Sequence, residues 1–393
     1  IADGASFEWD SDGSTSTRAT LITSAPTASR LSLVSTPDRH LVYFGTETTI
    51  GTTSTQDDMY IRWSDQEDIN TYTPTATNTA GTQRIADGTR IVGAIRGRDA
   101  IYVWTDNALF IMRFVGAPFT FSFQQVGTGC GLIGKNAAVE VDGSAYWMSD
   151  NGFFRYTGKL ESLACLVEDY VFDDLNTVPK QHINAGLNNL FGEVTWFYPS
   201  SSASSINRAV TYNYMDSTAE RPVWTTSSLA RTAWQDSAVF GKPHGTEYDA
   251  DATSDSTVGN TDGVTTYFEH ETGFNQVKAG TTTAIAANIE SGDFDLDQRG
   301  LAGDGEFMLK IRRIIPDFLQ QTGDAIVTLN LRDFANQSSS GSSLGPFTSS
   351  TSTTKIDTRA RGRAASLKIS NSGTGTHWKL GTFKLDIQPD GRR

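Results

Sequence analysis

The sequence predicts an all-β protein, a β-propeller with a second C-terminal β-rich domain. Short apolar runs rich in aromatic and β-branched residues alternate with turn residues, and 36 of the 393 residues are Gly. Such a pattern is typical of many short strands joined by turns, and helical periodicity is scarce. A chain of this length exceeds what one hydrophobic core usually serves, so we expect more than one domain.

Antiparallel meanders repeat along the first part of the chain. One unit has turns at Gly97-Arg98-Asp99 and Asp106-Asn107 between its three predicted strands: 90–95, 100–105 and 108–114. The next has turns at Asp142-Gly143 and Asp150-Asn151-Gly152 between its strands: 136–141, 144–148 and 153–157. Asp-Gly and Asn-Gly are favoured in tight hairpin turns, so both units read as three-stranded meanders.

Five such units fit between about 31 and 278. Two are less regular: one runs from His182 to Tyr214, and one includes Ala238-Val239-Phe240 and 264–268. Meanders that repeat every ~40–50 residues indicate a β-propeller, which we place at 31–280. Its predicted buried positions are Val92, Ile101, Val103, Val139, Trp147, Val194 and Val210. The best helical pattern lies at about 160–175, and residues 1–30 form an N-terminal segment of unclear role.

The segment 281–393 is predicted to be the second β-rich domain. Its strands are longer and more regular than those of the propeller, and we place them at 307–315, 325–333, 364–369 and 378–387. The Ser/Gly/Thr-rich stretch 337–354 is predicted to be a mobile surface loop.

Charge is distributed unevenly along the chain. The formal net charge is -13, which argues against a surface that grips nucleic acid throughout. From Glu306 to Arg393, however, 13 Lys and Arg stand against 7 Asp and Glu, a net charge of +6 that leaves -19 for the remainder. An acidic body with a basic end indicates that the chain contacts two kinds of partner molecule.

The cysteines and the hydropathy exclude several classes of protein. Cys130 and Cys165 lie in no CxxC or CxxH arrangement, so neither a disulfide framework nor a zinc site is expected. No run approaches the roughly 18 apolar residues of a membrane span. The chain begins at Ile1 rather than Met, and we expect its true N-terminus to lie upstream.

No arrangement of residues predicts catalysis. The five histidines lie in unrelated contexts, and no hydrolase, zinc-protease or nucleotide-binding motif is present. We therefore predict that the chain is not an enzyme, with no catalytic residues, no cofactor and no metal centre.

Asp293, Asp295 and Asp297 alternate in a way that places three carboxylates on one face of a strand. Clustered oxygens are what calcium prefers, so a cation site is one interpretation. A solvated strand face or an acidic contact between subunits is the favoured one.

Arg359, Arg361 and Arg363 alternate in the same way. Three guanidinium groups on one face could bind phosphate, or could meet carboxylates of an adjacent subunit or of an adaptor ring. In an acidic protein we favour the contact between subunits.

Several motifs together resemble a known family. They are Ile61-Arg62-Trp63-Ser64-Asp65-Gln66-Glu67-Asp68 with Tyr72-Thr73-Pro74 and Asn78, the meander from Arg98 to Gly116, the run from Gly127 to Phe154, Arg361-Gly362-Arg363, Trp378-Lys379-Leu380-Gly381, and the ending Leu385 to Arg393. In this order they resemble the tail nozzle proteins of short-tailed bacteriophages, also called tail tubular protein B or DNA-stabilisation tail proteins. The resemblance covers about 60–393.

The resemblance implies a structural virion protein of the phage tail. Its copies would form a ring, a homohexamer, below an adaptor ring of the tail tubular protein A type, in contact with tail fibres or spikes. The ring would be a conduit that retains the genome and then lets DNA pass transiently and non-specifically into the host cell. No stable membrane insertion is implied.

The alternative is a propeller lectin or glycosidase that binds or cleaves surface glycans. It predicts a pocket with convergent carboxylates and arginines, whereas the tail protein predicts extensive subunit interfaces and no such pocket. An intracellular propeller scaffold is less favoured, because the Gly-His and Trp-Asp repeat signature is absent.

Overall fold

The structure confirms the all-β class. The computed structural model describes residues 4–10, 12–13, 16–36, 38–249, 264–278, 280–296, 307–334, 337 and 342–392. In these residues there are 33 strands, one α-helix (α1, Glu168–Asp173) and two short 3-10 helices, Thr53–Thr55 and Lys180–His182. The chain divides into two compact units, Ile1–Glu271 and Thr272–Arg393.

The first unit begins with a two-stranded sheet and two four-stranded blades. The paired strands are β1 (Phe7–Glu8) and β2 (Thr20–Leu21). Blade 1 consists of β3 (Leu31–Ser35), β4 (His40–Phe44), β5 (Tyr60–Trp63) and β6 (Gly81–Arg84). Blade 2 consists of β7 (Ile91–Arg96), β8 (Ile101–Thr105), β9 (Ala108–Gly116) and β10 (Thr120–Thr128).

Three further blades follow among the described residues of this unit. Blade 3 consists of β11 (Ala138–Val141), β12 (Ser144–Ser149), β13 (Gly152–Tyr156) and β14 (Leu160–Ser162). Blade 4 consists of β15 (Asn184–Asn188), β16 (Glu193–Tyr198), β17 (Arg208–Asn213) and β18 (Trp224–Ser227). The described residues of blade 5 are β19 (Ala233–Gln235), β20 (His244–Asp249) and β21 (Val264–Glu269).

The order of the strands makes this unit a β-propeller. Every blade is an antiparallel meander in chain order. The first strand of each blade lies beside the first strand of the next: β3 beside β7, β7 beside β11, β11 beside β15, and β15 beside β19. First strands that neighbour one another from blade to blade are the inner strands of a propeller.

The hairpins follow from the turn residues. Asp142 and Gly143 connect β11 to β12 with φ angles of 48° and 85°. Positive φ at both central residues matches the twist of paired strands, and Gly adopts it without steric cost. The predicted Asp-Gly turn is therefore present.

Most predicted core positions are buried. Ile101, Val103, Trp147, Val194 and Val210 are at most 3% exposed. Val92 and Val139 are partly buried against the core that contains Trp147, Val194 and Val210. The predicted strand at Ala238-Val239-Phe240 is wrong: these residues belong to the connection between β19 and β20, and the side chains of Val239 and Phe240 are 73% and 63% exposed.

Two tryptophans connect neighbouring blades through their indole N–H groups. The indole of Trp196 on β16 donates to the carbonyl of Ala137, just before β11, at 3.0 Å. The indole of Trp234 on β19 donates to the carbonyl of Leu187 on β15 at 2.8 Å. Each bond links one blade to the preceding one, beside apolar cores that also span blades.

The second unit contains two larger sheets and two two-stranded pairs. The five-stranded sheet consists of β24 (Ala287–Glu290), β25 (Phe294–Asp295), β28 (Ala325–Arg332), β29 (Ser342–Ser349) and β31 (Ala364–Asn371). The three-stranded sheet has the order β30 (Ile356–Gly362), β26 (Phe307–Ile315), β33 (Lys384–Arg392). The smaller pairs are β22 (Asn275–Lys278) with β23 (Thr281–Ala284), and β27 (Phe318–Thr322) with β32 (His377–Leu380).

One core lies between the two larger sheets. It contains Leu309, Ile311 and Ile314 from β26, facing Val327 and Leu329 from β28. On β28 buried residues alternate with half-buried ones, as a strand with one face in a core requires.

Two predictions in this unit need correction. Strand β29 lies inside the stretch 337–354 that was predicted to be a loop, because its Leu344 and Phe347 pack on the shared core. The single strand predicted at 378–387 is two strands, β32 and β33, which belong to different sheets.

Both cysteines are free thiols. No helix within the described ranges is both long and apolar enough to cross a bilayer.

Candidate functional site

Four cations share the outer face of the three-stranded sheet. Lys310 and Arg312 on β26 and Arg359 and Arg361 on β30 are exposed, while the residues between them face the core. Lys310 lies directly opposite Arg361 in the register of the two strands. We call these four residues the basic face.

Most of the basic face lacks an anionic partner. Arg361 forms an ion pair with Asp390 on the neighbouring strand β33, with 2.5 Å between Nε and Oδ2. For Lys310, Arg312 and Arg359, no ion pair occurs within the described residues. The face is therefore a surface on which an external anion can bind.

Arg363 is not part of this face. Strand β30 ends at Gly362, and Arg363 lies at the corner where the chain crosses to β31 in the other sheet. Its Nε donates to the carbonyl of Asp333 at 3.1 Å. The predicted row of three arginines is thus two arginines on the strand, joined by Lys310 and Arg312, which the sequence analysis did not single out.

The acidic alternation at Asp293, Asp295 and Asp297 is only partly within the described residues. Asp293 forms an ion pair with Arg332 at 3.1 Å, Asp295 lies on β25, and Asp297 lies outside the described residues. Within the part of the chain that the structure describes, no three or more His, Cys, Asp or Glu side chains converge as a metal site would require.

A small cavity lies between blades 1 and 2. Its lining includes the polar residues Asp38, Arg96 and Asp99 and the aromatic residues Phe114 and Phe121. Asp38 is buried and accepts a hydrogen bond from the hydroxyl of Ser35. Two carboxylates, one guanidinium and aromatic rings can bind a small polyhydroxylated molecule by hydrogen bonds and ring contact.

A buried imidazole lies behind the cavity. The Nδ1 atom of His40 is 2.8 Å from the carbonyl of Ser64, and its ring meets the ring of Phe121 edge to face at 5.2 Å. Its Nε2 atom is buried without a hydrogen-bond partner. If Nδ1 carries the proton and donates to Ser64, Nε2 is an unsatisfied acceptor.

Blade 5 contains a buried charge. The guanidinium of Arg231 donates to Nε2 of His270 at 2.8 Å and to the carbonyl of Ala230 at 2.6 Å, and lies 3.5 Å from a carboxylate oxygen of Glu247. It also lies over the ring of Phe268 at 4.0 Å. Burial lowers the pKa of Arg231 to about 10. Burial, with the charge of Arg231, lowers the pKa of His270 to about 4, so His270 is a neutral acceptor at neutral pH.

No protein-family model matches the chain, and no curated protein matches it. A solved structure that it is similar to is an exo-β-1,3-galactanase from Phanerochaete chrysosporium, crystallised with galactose. The identity is 10%, the similarity covers 91% of this chain and 99% of the galactanase chain, and the TM-score is 0.26.

This comparison corrects the prediction that the chain is not an enzyme, because the similar structure is that of a glycoside hydrolase. A likeness at a TM-score of 0.26 transfers no activity or substrate to this chain.

Proposed function

We propose that the chain is a structural subunit of the tail nozzle of a short-tailed bacteriophage, in which copies form a ring around the DNA exit channel. The charge of the propeller unit carries this proposal. Residues 1–271 contain 17 Lys and Arg against 33 Asp and Glu, a net charge of -16, whereas residues 272–393 carry +3.

An acidic wall suits a DNA conduit. Contacts between Lys or Arg and phosphates supply most non-specific affinity for DNA. A ring whose channel presents carboxylates lets the duplex slide, because it offers few such contacts. The second unit, which bears the basic face, then suits attachment to protein neighbours, which include other copies of the chain, the adaptor ring and the tail fibres or spikes.

We expect the full-length protein, with its native N-terminus, to form closed rings of six copies. A ring is expected because head-to-tail contacts that close avoid open filaments. Mass photometry and negative-stain microscopy check this, with a particle of six times the mass of the expressed chain as the expected result. A monodisperse monomer at high protein concentration would contradict the proposal.

A second candidate function is the binding or cleavage of glycans, and the cavity between blades 1 and 2 favours it. The cavity contains the combination of carboxylates and arginine that this alternative predicts and that the tail protein does not.

Saturation-transfer NMR with galactose and glucose tests this second candidate. If the cavity binds sugar, we expect the wild-type protein to give a transfer signal and the variants Arg96→Ala and Asp99→Asn to lose most of it. Arg98→Ala is the matched control, because Arg98 is an exposed neighbour that does not line the cavity. A wild-type protein without a signal, or a signal that the three variants share, excludes sugar binding at this cavity.

A further inference from the structure

Five large apolar side chains are exposed at one edge of blades 4 and 5. Leu190 and Phe191 lie in the connection between β15 and β16, Met215 follows β17, and Val239 and Phe240 lie between β19 and β20. All are at least 50% exposed. In an antiparallel meander these connections occur at the same edge of the sheets, so we call the five residues the apolar rim.

Hydrogen bonds hold the connections of the rim together. The backbone N–H and the side-chain amide of Asn189 donate to the carboxylate of Asp236 at 3.2 and 2.6 Å, which joins blade 4 to blade 5. The hydroxyl of Tyr214 donates to Oδ1 of Asn189 at 3.1 Å. The rim is therefore one defined surface, and exposed apolar patches of this kind mark interaction sites.

Carboxylates lie among these apolar residues. Glu193 begins β16, Asp216 follows Met215, and Glu271 accepts a hydrogen bond from the amide of the buried Asn188 at 3.2 Å. Burial, with the charges of Glu271 and Asp216, raises the pKa of Glu193. A neighbour that brings positive charge would relieve this repulsion between carboxylates.

We propose that the basic face of one copy docks on the apolar rim of a second copy. The two surfaces complement each other in charge, since three cations of the face lack an ion pair in the described chain and the rim presents clustered carboxylates. The face also has an apolar edge, because Ile315 at the end of β26 is 38% exposed. The inference rests on the proposed ring, for which it names the two contacting surfaces.

This contact joins two different surfaces of identical chains. Such a heterologous contact leaves one free basic face and one free rim on every pair, so it can continue until a ring closes. Charge pairs that are desolvated at an interface contribute far more to the affinity than exposed pairs do. Removal of one partner leaves the other charge buried without a counter-charge. Reversal of charge on one surface should therefore weaken the association at least ~10-fold.

Two variants and their mixture test the contact. The face variant is Arg312→Glu with Arg359→Glu, and the rim variant is Phe191→Lys with Phe240→Lys. We expect each variant alone to be monomeric by mass photometry, at concentrations where the wild-type protein associates. An equimolar mixture should recover pairs, because the face variant keeps an intact rim and the rim variant keeps an intact face.

Matched controls separate the contact from loss of fold. One control variant carries Arg98→Glu with Arg113→Glu, and the other carries Phe119→Lys. Both change exposed residues of blade 2, so these variants should associate like the wild-type protein. All variants should keep the wild-type circular dichroism and melting temperature, and Arg312→Ala with Arg359→Ala provides a milder face variant if charge reversal disturbs the fold.

Three other outcomes overturn the inference. If both variants still form rings, the ring proposal stands but its contact lies elsewhere. If the mixture stays monomeric, the two surfaces do not meet between copies. If the face variant assembles normally but loses binding to a DNA fragment, the basic face is a phosphate site instead. Pairs restored by mixing without any closed ring in the wild-type protein would support this contact and contradict the nozzle.

Discussion

Replacement of Trp196 with alanine is expected to lower the free energy of unfolding by about 3–5 kcal/mol. The side chain is fully buried, and its ring contacts the ring of Phe153 at a centroid distance of 4.9 Å. The substitution also removes the hydrogen bond to Ala137 and so loosens blade 4 from blade 3. Urea unfolding followed by circular dichroism measures the change.

Trp9 provides the matched control for this substitution. Its indole also donates to a backbone carbonyl, that of Thr17 at 3.2 Å, but its side chain is 51% exposed. Trp9→Ala should therefore change stability by no more than about 0.5 kcal/mol. Trp196→Phe keeps an aromatic ring but loses the N–H donor. Its loss of unfolding free energy should therefore lie between those of Trp196→Ala and Trp9→Ala. A Trp196→Ala protein that unfolds at the wild-type urea concentration would show that this residue does not secure the blades.

Replacement of Glu247 with alanine is expected to destabilise the propeller unit by about 3–5 kcal/mol. Arg231 is only 3% exposed, and the substitution leaves its charge buried without the carboxylate that faces it. The hydrogen bonds to His270 and Ala230 remain, but neither partner carries a compensating charge. The same urea experiment measures the effect.

An exposed ion pair in the same blade is the control. Lys242 and Glu269 lie 3.3 Å apart with 40% and 50% of their side chains exposed. Glu269→Ala should cost no more than about 1 kcal/mol, because water already screens this pair. The double variant Arg231→Met with Glu247→Ala should recover most of the stability, since removal of both charges is far less costly than removal of one. Equal losses for Glu247→Ala and Glu269→Ala would contradict a buried charge at Arg231.

The propeller was predictable from local sequence because turn residues mark its hairpins. Asp142-Gly143 and Asp150-Asn151-Gly152 define strands by their own conformational preferences, without knowledge of the rest of the chain. The strand β29 was not predictable in this way. Its Ser, Gly and Pro residues favour a loop, and only the edge of the sheet beside β28 makes it a strand, where Pro is tolerated.

The candidate sites were likewise predictable only where they depend on local sequence. The alternation of Arg359 and Arg361 predicted a shared strand face correctly, because period two is local. Lys310 could not be assigned to the same face from sequence. Its place there depends on the register between β26 and β30, which lie far apart in sequence. The apolar rim was missed for a different reason: Val239 and Phe240 were assigned to a strand by their residue types, although the connection that contains them is exposed.

The two units differ in the distance along the chain over which their strands pair. Every blade pairs strands that follow one another, so each blade can form from a short stretch of nascent chain. In the second unit, β26 pairs with β33 and β24 with β31, which brings Phe307 beside Arg392 and Ala287 beside Asn371. Closure of such long loops slows folding. A newly made chain should therefore acquire its propeller first, and the three-stranded sheet that bears the basic face should be complete only once β33 has been synthesised.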